Sequence, residues 1–193
     1  MKYYFLLFTL LFSFSAISQV KYETIYSEKL GEDREIKIQL PRNYESNSEK
    51  RYPLFIVLDG DYLFEPVAGN VDFYSYWEDM PEAIVVGINQ LETRIDDGYF
   101  DDTNYFPSNS GANFFEFIGL ELLPYLDTNY RTAKFVIAVG HDYTSNFINY
   151  YLFKDPALFQ GYINLSPDFA PMMAERLTEK LSTIKQKTWF YMA

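Results

Sequence analysis

The sequence predicts an α/β fold: a mainly parallel sheet, opened by antiparallel strands at its N-terminal side, with helices on both faces. Three observations lead there. Five continuous apolar runs recur along the chain, as strands buried on both faces require. Helical patterns separate the later runs, which calls for parallel strands and right-handed crossovers. Two alternating segments, Lys21–Tyr26 (KYETIY) and Glu35–Leu40 (EIKIQL), precede them and are joined across Gly31, the pattern of an antiparallel pair.

The five runs are Leu54–Gly60 (LFIVLDG), Glu82–Ile88 (EAIVVGI), Phe135–Gly140 (FVIAVG), Gly161–Ser166 (GYINLS) and Lys187–Ala193 (KTWFYMA). The helices are expected over Asn113–Leu126, Ser145–Phe153 and Pro171–Ile184. In the first, Phe114, Phe117, Ile118 and Leu122 share a face. In the last, Met173, Leu177 and Leu181 recur at fourth-residue spacing. The chain stops inside the fifth apolar run, where a parallel sheet normally continues into a loop and helix. The expectation is therefore a domain over residues 19–193 that is truncated at its C-terminal end.

Composition bounds the function classes. The 193 residues suffice for one domain with a real core, and aromatics reach 20% of the chain, which excludes disorder. At the N-terminus Lys2 precedes an apolar run, YYFLLFTLLF, that ends in small residues; Ala16-Ile17-Ser18 fits a cleavage site before Gln19. Residues 1–18 read as a secretory signal peptide, with a run too short for a membrane span of about 20 residues. A secreted or periplasmic location follows, with no stable membrane insertion after cleavage. Losing Lys2 takes the formal charge from −11 to −12. That acidity argues against nucleic acid and anionic membrane surfaces as partners. Cysteine is absent, which removes disulfides and thiolate metal sites without deciding the compartment.

The chemistry is concentrated in Val136–Ser145, VIAVGHDYTS. A strand ends in glycine, a turn follows, and a helix begins. A nucleophile elbow has this form, with the pattern G-x-S-x-G. Here Asp142 takes the serine position and Thr144 that of the second glycine.

In RYPLFIVLDGDYLF, PEAIVVGI, LELLPYLDTNYRTAKFVIAVGH and DPALFQGYINLSPDF, taken in order, the chain resembles the putative-esterase family of α/β-hydrolases. That family includes esterase D, ferric-enterobactin esterase and feruloyl esterases. The resemblance covers roughly residues 30–192. It implies an α/β-hydrolase fold, Asp142 at the nucleophile position, and an oxyanion hole made by the backbone N–H groups of Asp61 and Tyr143. The family's acid and histidine follow the last strand seen here, so neither maps onto this chain.

A carboxylate attacking an ester carbonyl would form an anhydride, which is uphill; it suits displacement at saturated carbon better. Such chemistry still needs a histidine to activate water. The only histidine, His141, directly precedes the elbow residue and is expected to pack beside the sheet rather than serve as base. Asp142 thus has three readings: a helix N-cap, which is preferred, a ligand-binding carboxylate, or a nucleophile. Thr144 is expected to crowd a working elbow. Ser145 and Ser166 lack a base and read as structural.

The loop Arg94–Pro107 carries Asp96, Asp97, Asp101 and Asp102. Its spacing does not match a calcium loop, so a solvated acidic loop is expected, with no metal and no cofactor. Tyr99 and Tyr105 in it are candidates for stacking on a ligand, or for packing the loop onto the domain. The combined expectation is a secreted esterase-like protein, catalytically impaired, that takes a small-molecule or glycan ester-like ligand. Two alternatives stand beside it. One is an active ester hydrolase whose acid and histidine lie in a missing C-terminal segment. The other is a non-enzymatic ligand- or glycan-binding module.

Overall fold

The computed structural model describes residues 20–193; the expected leader and its cleavage site lie outside the described residues. β1 (Val20–Ser27) and β2 (Glu32–Gln39) form an antiparallel hairpin, Val20 opposite Gln39 and Ser27 opposite Glu32. Gly31 closes the turn at φ 72°, a value that glycine adopts without a Cβ clash. The turn is tight, so β2 begins three residues before the alternating segment that announced it.

The remaining strands are β3 (Tyr52–Val57), β4 (Ile84–Ile88), β5 (Thr132–His141), β6 (Gly161–Leu165) and β7 (Trp189–Met192). They join in the order β1-β2-β4-β3-β5-β6-β7. β2 meets β4 antiparallel; every pairing from β4 to β7 is parallel. All five apolar runs become strands, but β7, expected to be buried on both faces, lies at the edge of the sheet with Trp189, Tyr191 and Met192 exposed.

Successive side chains of a strand point to opposite faces, and β3 shows how this divides the core. Leu54, Ile56 and Leu58 enter one cluster with Phe114, Phe117, Phe147 and Leu177. Phe55 and Val57 enter another with Phe64, Ala68 and Val71. Helices therefore cover both faces.

The second cluster depends on a helix that periodicity did not suggest, α1 (Phe64–Tyr76). Pro66 and Gly69 obscure it. Pro66 sits in the first turn, where no intrahelical N–H is needed. The buried residues Phe64, Ala68 and Val71 keep the spacing of one helical face.

On the other face the helix expected over Asn113–Leu126 is longer and irregular. α3 (Asn109–Glu116) passes through a wide π turn at Phe117–Leu122 into α4 (Leu123–Asn129). Pro124 would clash with the carbonyl four residues back in a regular helix, and the wide turn directly before it absorbs that conflict. Beyond β5, α5 (Tyr143–Ile148) tightens into a 3₁₀ turn at Asn149–Phe153. α6 (Met173–Thr183) then buries Met173 and Leu177.

The acidic loop departs from expectation. Arg94–Asp97 forms a single helical turn, α2, and Asp97 is only 3% exposed. Its carboxylate takes two hydrogen bonds from Arg34, at 2.5 and 3.0 Å, and others from Thr93 and Gln90. Asp97 is thus a buried structural anion rather than a solvated one. Asp101 accepts the amides of Thr103 and Asn104, which hold its carboxyl below the usual range.

Breaking a buried pair strands the surviving charge, at a cost of roughly 3–5 kcal/mol. Asp97→Ala should lower stability on that scale, read as a shift in denaturant midpoint. A solvated surface aspartate would change it by no more than about 0.5 kcal/mol, and a shift that small would refute the buried-anion assignment.

Candidate functional site

Strand order fixes where the loops gather. β4 lies on one side of β3 and β5 on the other. α1, which follows β3, packs on one face, while α5, which follows β5, packs on the opposite face. Adjacent strands whose connections part in this way leave a crevice at their carboxyl ends, the usual ligand position in open α/β sheets. The loop after β3 carries Asp59, Asp61 and Tyr62, and the turn after β5 carries Asp142 and Tyr143.

That turn keeps elbow geometry. Asp142 sits at φ 55°, ψ −118°, a region that side-chain-bearing residues rarely occupy. Its amide donates to Leu165 O of β6, and its carbonyl accepts the amides of Ser145, Asn146 and Asp168. Four backbone bonds therefore over-determine the strained residue. The crossing is close. A Cβ on Gly140 would stand 2.6 Å from Thr144 O and 2.8 Å from Ser145 Cα, so the first glycine of the elbow is needed even though the second is absent.

The cap expected of Asp142 is not formed. Its side chain makes no hydrogen bond to the first-turn amides. The Asp142 carboxylate instead lies 3.4 Å from Arg94 Nη2. Thr144 does not crowd the turn either. It is buried, and its hydroxyl accepts the His141 amide at 3.0 Å and donates to Asp59 Oδ2 at 2.7 Å. Its side chain ties the elbow to the end of β3.

Asp59 is the hub of this arrangement. It is 2% exposed, with φ 55°. Arg94 grips its carboxylate through Nε at 2.7 Å and Nη2 at 3.3 Å, and the same Nη2 reaches His141 O at 3.0 Å. Burial works against the Arg94 charge, but the hydrogen bond to Asp59 and its negative charge prevail and raise the guanidinium pKa. Tyr62 OH lies 3.0 Å from Asp59 Oδ2 and 2.8 Å from His141 Nδ1. Burial, then the Asp59 charge and hydrogen bond, push Tyr62 up to about 12. His141 is partly exposed at this edge and bonded to Tyr62, not simply packed beside the sheet.

The other residues singled out from the sequence gather here unevenly. Tyr143 opens α5, where an amide has no intrahelical partner; Asp61 Oδ2 accepts the Gln90 amide at 2.6 Å. The Tyr143 ring fills the space beside Gly98, and burial raises its pKa. Tyr99 is 40% exposed. Tyr105 is more of a packing residue: its carbonyl accepts Tyr150 OH at 2.8 Å and its ring meets Phe100. Ser145 is buried and donates to Asn164 Oδ1. Among the described residues no group of three or more His, Asp or Glu side chains is arranged to hold a metal ion.

Sequence reading missed Asp59, Tyr62 and Arg94. The signal for Asp59 was its place in "LDG", since an aspartate before glycine at a strand end tolerates a left-handed turn. Arg94 carried no such signal, because only the fold brings it to β3.

The strain at Asp142 has a measurable consequence. Glycine occupies this φ/ψ region freely, whereas other residues pay about 1–3 kcal/mol there. Asp142→Gly should therefore raise the denaturant midpoint above wild type, and Asp142→Ala should not. A helix cap would show the opposite sign for glycine, with a loss of a few tenths of a kcal/mol; that result would restore the cap.

The family model described as Putative esterase matches residues 27–189. Among solved structures, an uncharacterised protein from Capnocytophaga ochracea is 30% identical with a TM-score of 0.83, over 90% of this chain and 48% of that one. An IroE-like serine hydrolase from Shewanella oneidensis is 26% identical with a TM-score of 0.76, over 90% of this chain and 60% of that one. The enterobactin esterase FES from Shigella flexneri shares the fold, with a TM-score of 0.67 at 16% identity over 90% of this chain and 53% of that one. The chain thus spans about half the length of the Capnocytophaga protein. No curated protein matches it. With the elbow geometry, the strand order and this match along most of its length, the chain belongs to the Putative esterase family of α/β-hydrolase fold.

Proposed function

We propose that this family member binds an ester-like or glycan ligand in the crevice between β3 and β5 and does not hydrolyse it through the elbow. One observation carries the reading. The group at the nucleophile position is a carboxylate that shares Arg94 with the buried Asp59. An acyl-transfer nucleophile needs a base to take its proton, and a carboxylate has no proton to give. Attack on an ester carbonyl would yield an anhydride, and the negative charge of Asp142 would oppose an oxyanion forming beside it. As a binding group the carboxylate is well suited, since it accepts several hydrogen bonds from a hydroxyl-bearing ligand. The backbone amides of Asp61 and Tyr143 would then hold a ligand carbonyl without activating it, with Tyr99 at the rim.

A second reading has its own support. The chain spans 48% and 60% of its two similar structures, and the strained elbow is retained. An acid and a histidine supplied by further sequence would support hydrolysis only through a step that suits the carboxylate of Asp142, displacement at saturated carbon.

Turnover of p-nitrophenyl acyl esters tests the binding reading. The protein of 193 residues should show no burst of p-nitrophenol that depends on Asp142, and Asp142→Ser should not create strong activity, because the hydroxyl still lacks a base. A burst in the wild type that disappears in Asp142→Asn would defeat the binding reading.

Export completes the proposal. Among the described residues no helix is long and apolar enough to cross a membrane. Residues 1–18 have the order of a cleavable leader. N-terminal sequencing of the exported protein should begin at Gln19; a mature chain that keeps Met1 would argue against the leader.

A further inference from the structure

Tyr62 makes two contacts that a single hydrogen cannot serve alone. Its oxygen is 3.0 Å from Asp59 Oδ2 and 2.8 Å from His141 Nδ1. Asp59 is gripped by Arg94 and also accepts from Thr144, the environment of an ionised carboxylate that can only accept. The Asp59 contact therefore consumes the Tyr62 hydrogen. The contact to His141 then requires a hydrogen on Nδ1, donated to the Tyr62 oxygen. In a neutral imidazole with Nδ1 protonated, Nε2 is bare and can only accept. A free histidine prefers the other tautomer, so these contacts would reverse the ring's natural choice. It does so with a phenol whose own position is set by a carboxylate 2% exposed.

The setting gives the bare nitrogen a use. The ring belongs to the residue directly before Asp142, at the carboxyl end of β5. His141 is partly exposed, and the rings of Tyr62 and His141 meet edge to face, centroids 5.8 Å apart. The hydrogen bond and the ring contact together fix the plane of the imidazole.

We propose that His141 Nε2 is a hydrogen-bond acceptor for the ligand at this site, held in that tautomer by Tyr62 and Asp59, and that it selects ligands rich in hydroxyl donors. The proposal rests on the reading of the elbow as a binding site. Asp142 and His141 then both present acceptors. A simple ester, which carries acceptors alone, cannot satisfy them, whereas a polyol can. Tyr62 acts here as a positioning residue, working through the imidazole.

The single histidine of the sequence makes the test direct. Long-range ¹H–¹⁵N spectra of labelled protein at about pH 9, above the ordinary histidine pKa of about 6.5, report one imidazole. The expected pattern is a protonated Nδ1 and a bare Nε2; a protonated Nε2 overturns the proposal. Tyr62→Phe removes the acceptor for Nδ1–H and should return the ring to Nε2–H, and a ring that stays unchanged refutes the positioning role. Tyr62 is 48% exposed, so this variant should fold. For the ligand class, titration of wild type with cis-1,2-cyclohexanediol should move the Nε2 signal, and titration with its dimethyl ether should not. Equal responses to both, or none to either, overturn the selection of donors. Ester turnover through Asp142 would defeat the binding reading and leave the tautomer result intact, so the two failures are distinguishable.

Discussion

A buried carboxylate has to be satisfied where it stands, and Asp59 organises the crevice under that constraint. Its oxygens accept from Arg94, Tyr62 and Thr144, and its amide takes the side-chain carbonyl of Gln90. These partners come from four places: the loop leading into α1, the segment after β4, the α2 turn and the start of α5. None of them is near Asp59 in sequence except Tyr62. The carboxylate thus makes the carboxyl ends of β3, β4 and β5 one unit, and the strained turn at Asp142 is held because Thr144, two residues on, is part of that unit.

The same ion pair sets the character of the elbow. Arg94 is shared between the carboxylates of Asp59 and Asp142 and the carbonyl of His141. The geometry with Asp59 is bidentate and largely shielded, while Asp142 is a longer, more exposed contact. Such a pair is worth little in water. Arg94 therefore offsets part of the charge of Asp142 through a single contact to one carboxylate oxygen.

Much of the fold was legible because sheet burial leaves a coarse signature. Strands buried on both faces must be apolar throughout, and each of the five apolar runs became a strand. α1 escaped because its buried face is only three residues wide and the helix carries a proline and a glycine. The irregular helix before β5 was seen as a helix but not as broken, since the effect of Pro124 acts on the turn before it. For the site, legibility stopped at local pattern. The elbow could be found from Gly140 to Thr144. The roles of Asp142, Thr144 and Asp97 could not, because each depends on a partner far away in sequence: Arg94 for Asp142, Asp59 for Thr144 and Arg34 for Asp97.

The replacements at the elbow are coupled through these contacts. A glycine in place of Thr144 would remove the hydroxyl that accepts the His141 amide and serves Asp59. The turn would gain freedom where it now has a constraint, and Asp59 would lose one of its donors. A serine in place of Asp142 would leave Arg94 on Asp59 and the carbonyl of His141, and the ring of the one histidine contacts Tyr62 rather than position 142. On the proposed binding reading, acyl transfer through position 142 would require a hydroxyl there and a base within its reach together, while Arg94 and Thr144 stay bound to Asp59. The elbow persists in this chain as a rigid, acceptor-lined turn because the interactions that hold its shape are separate from those that would make it a nucleophile.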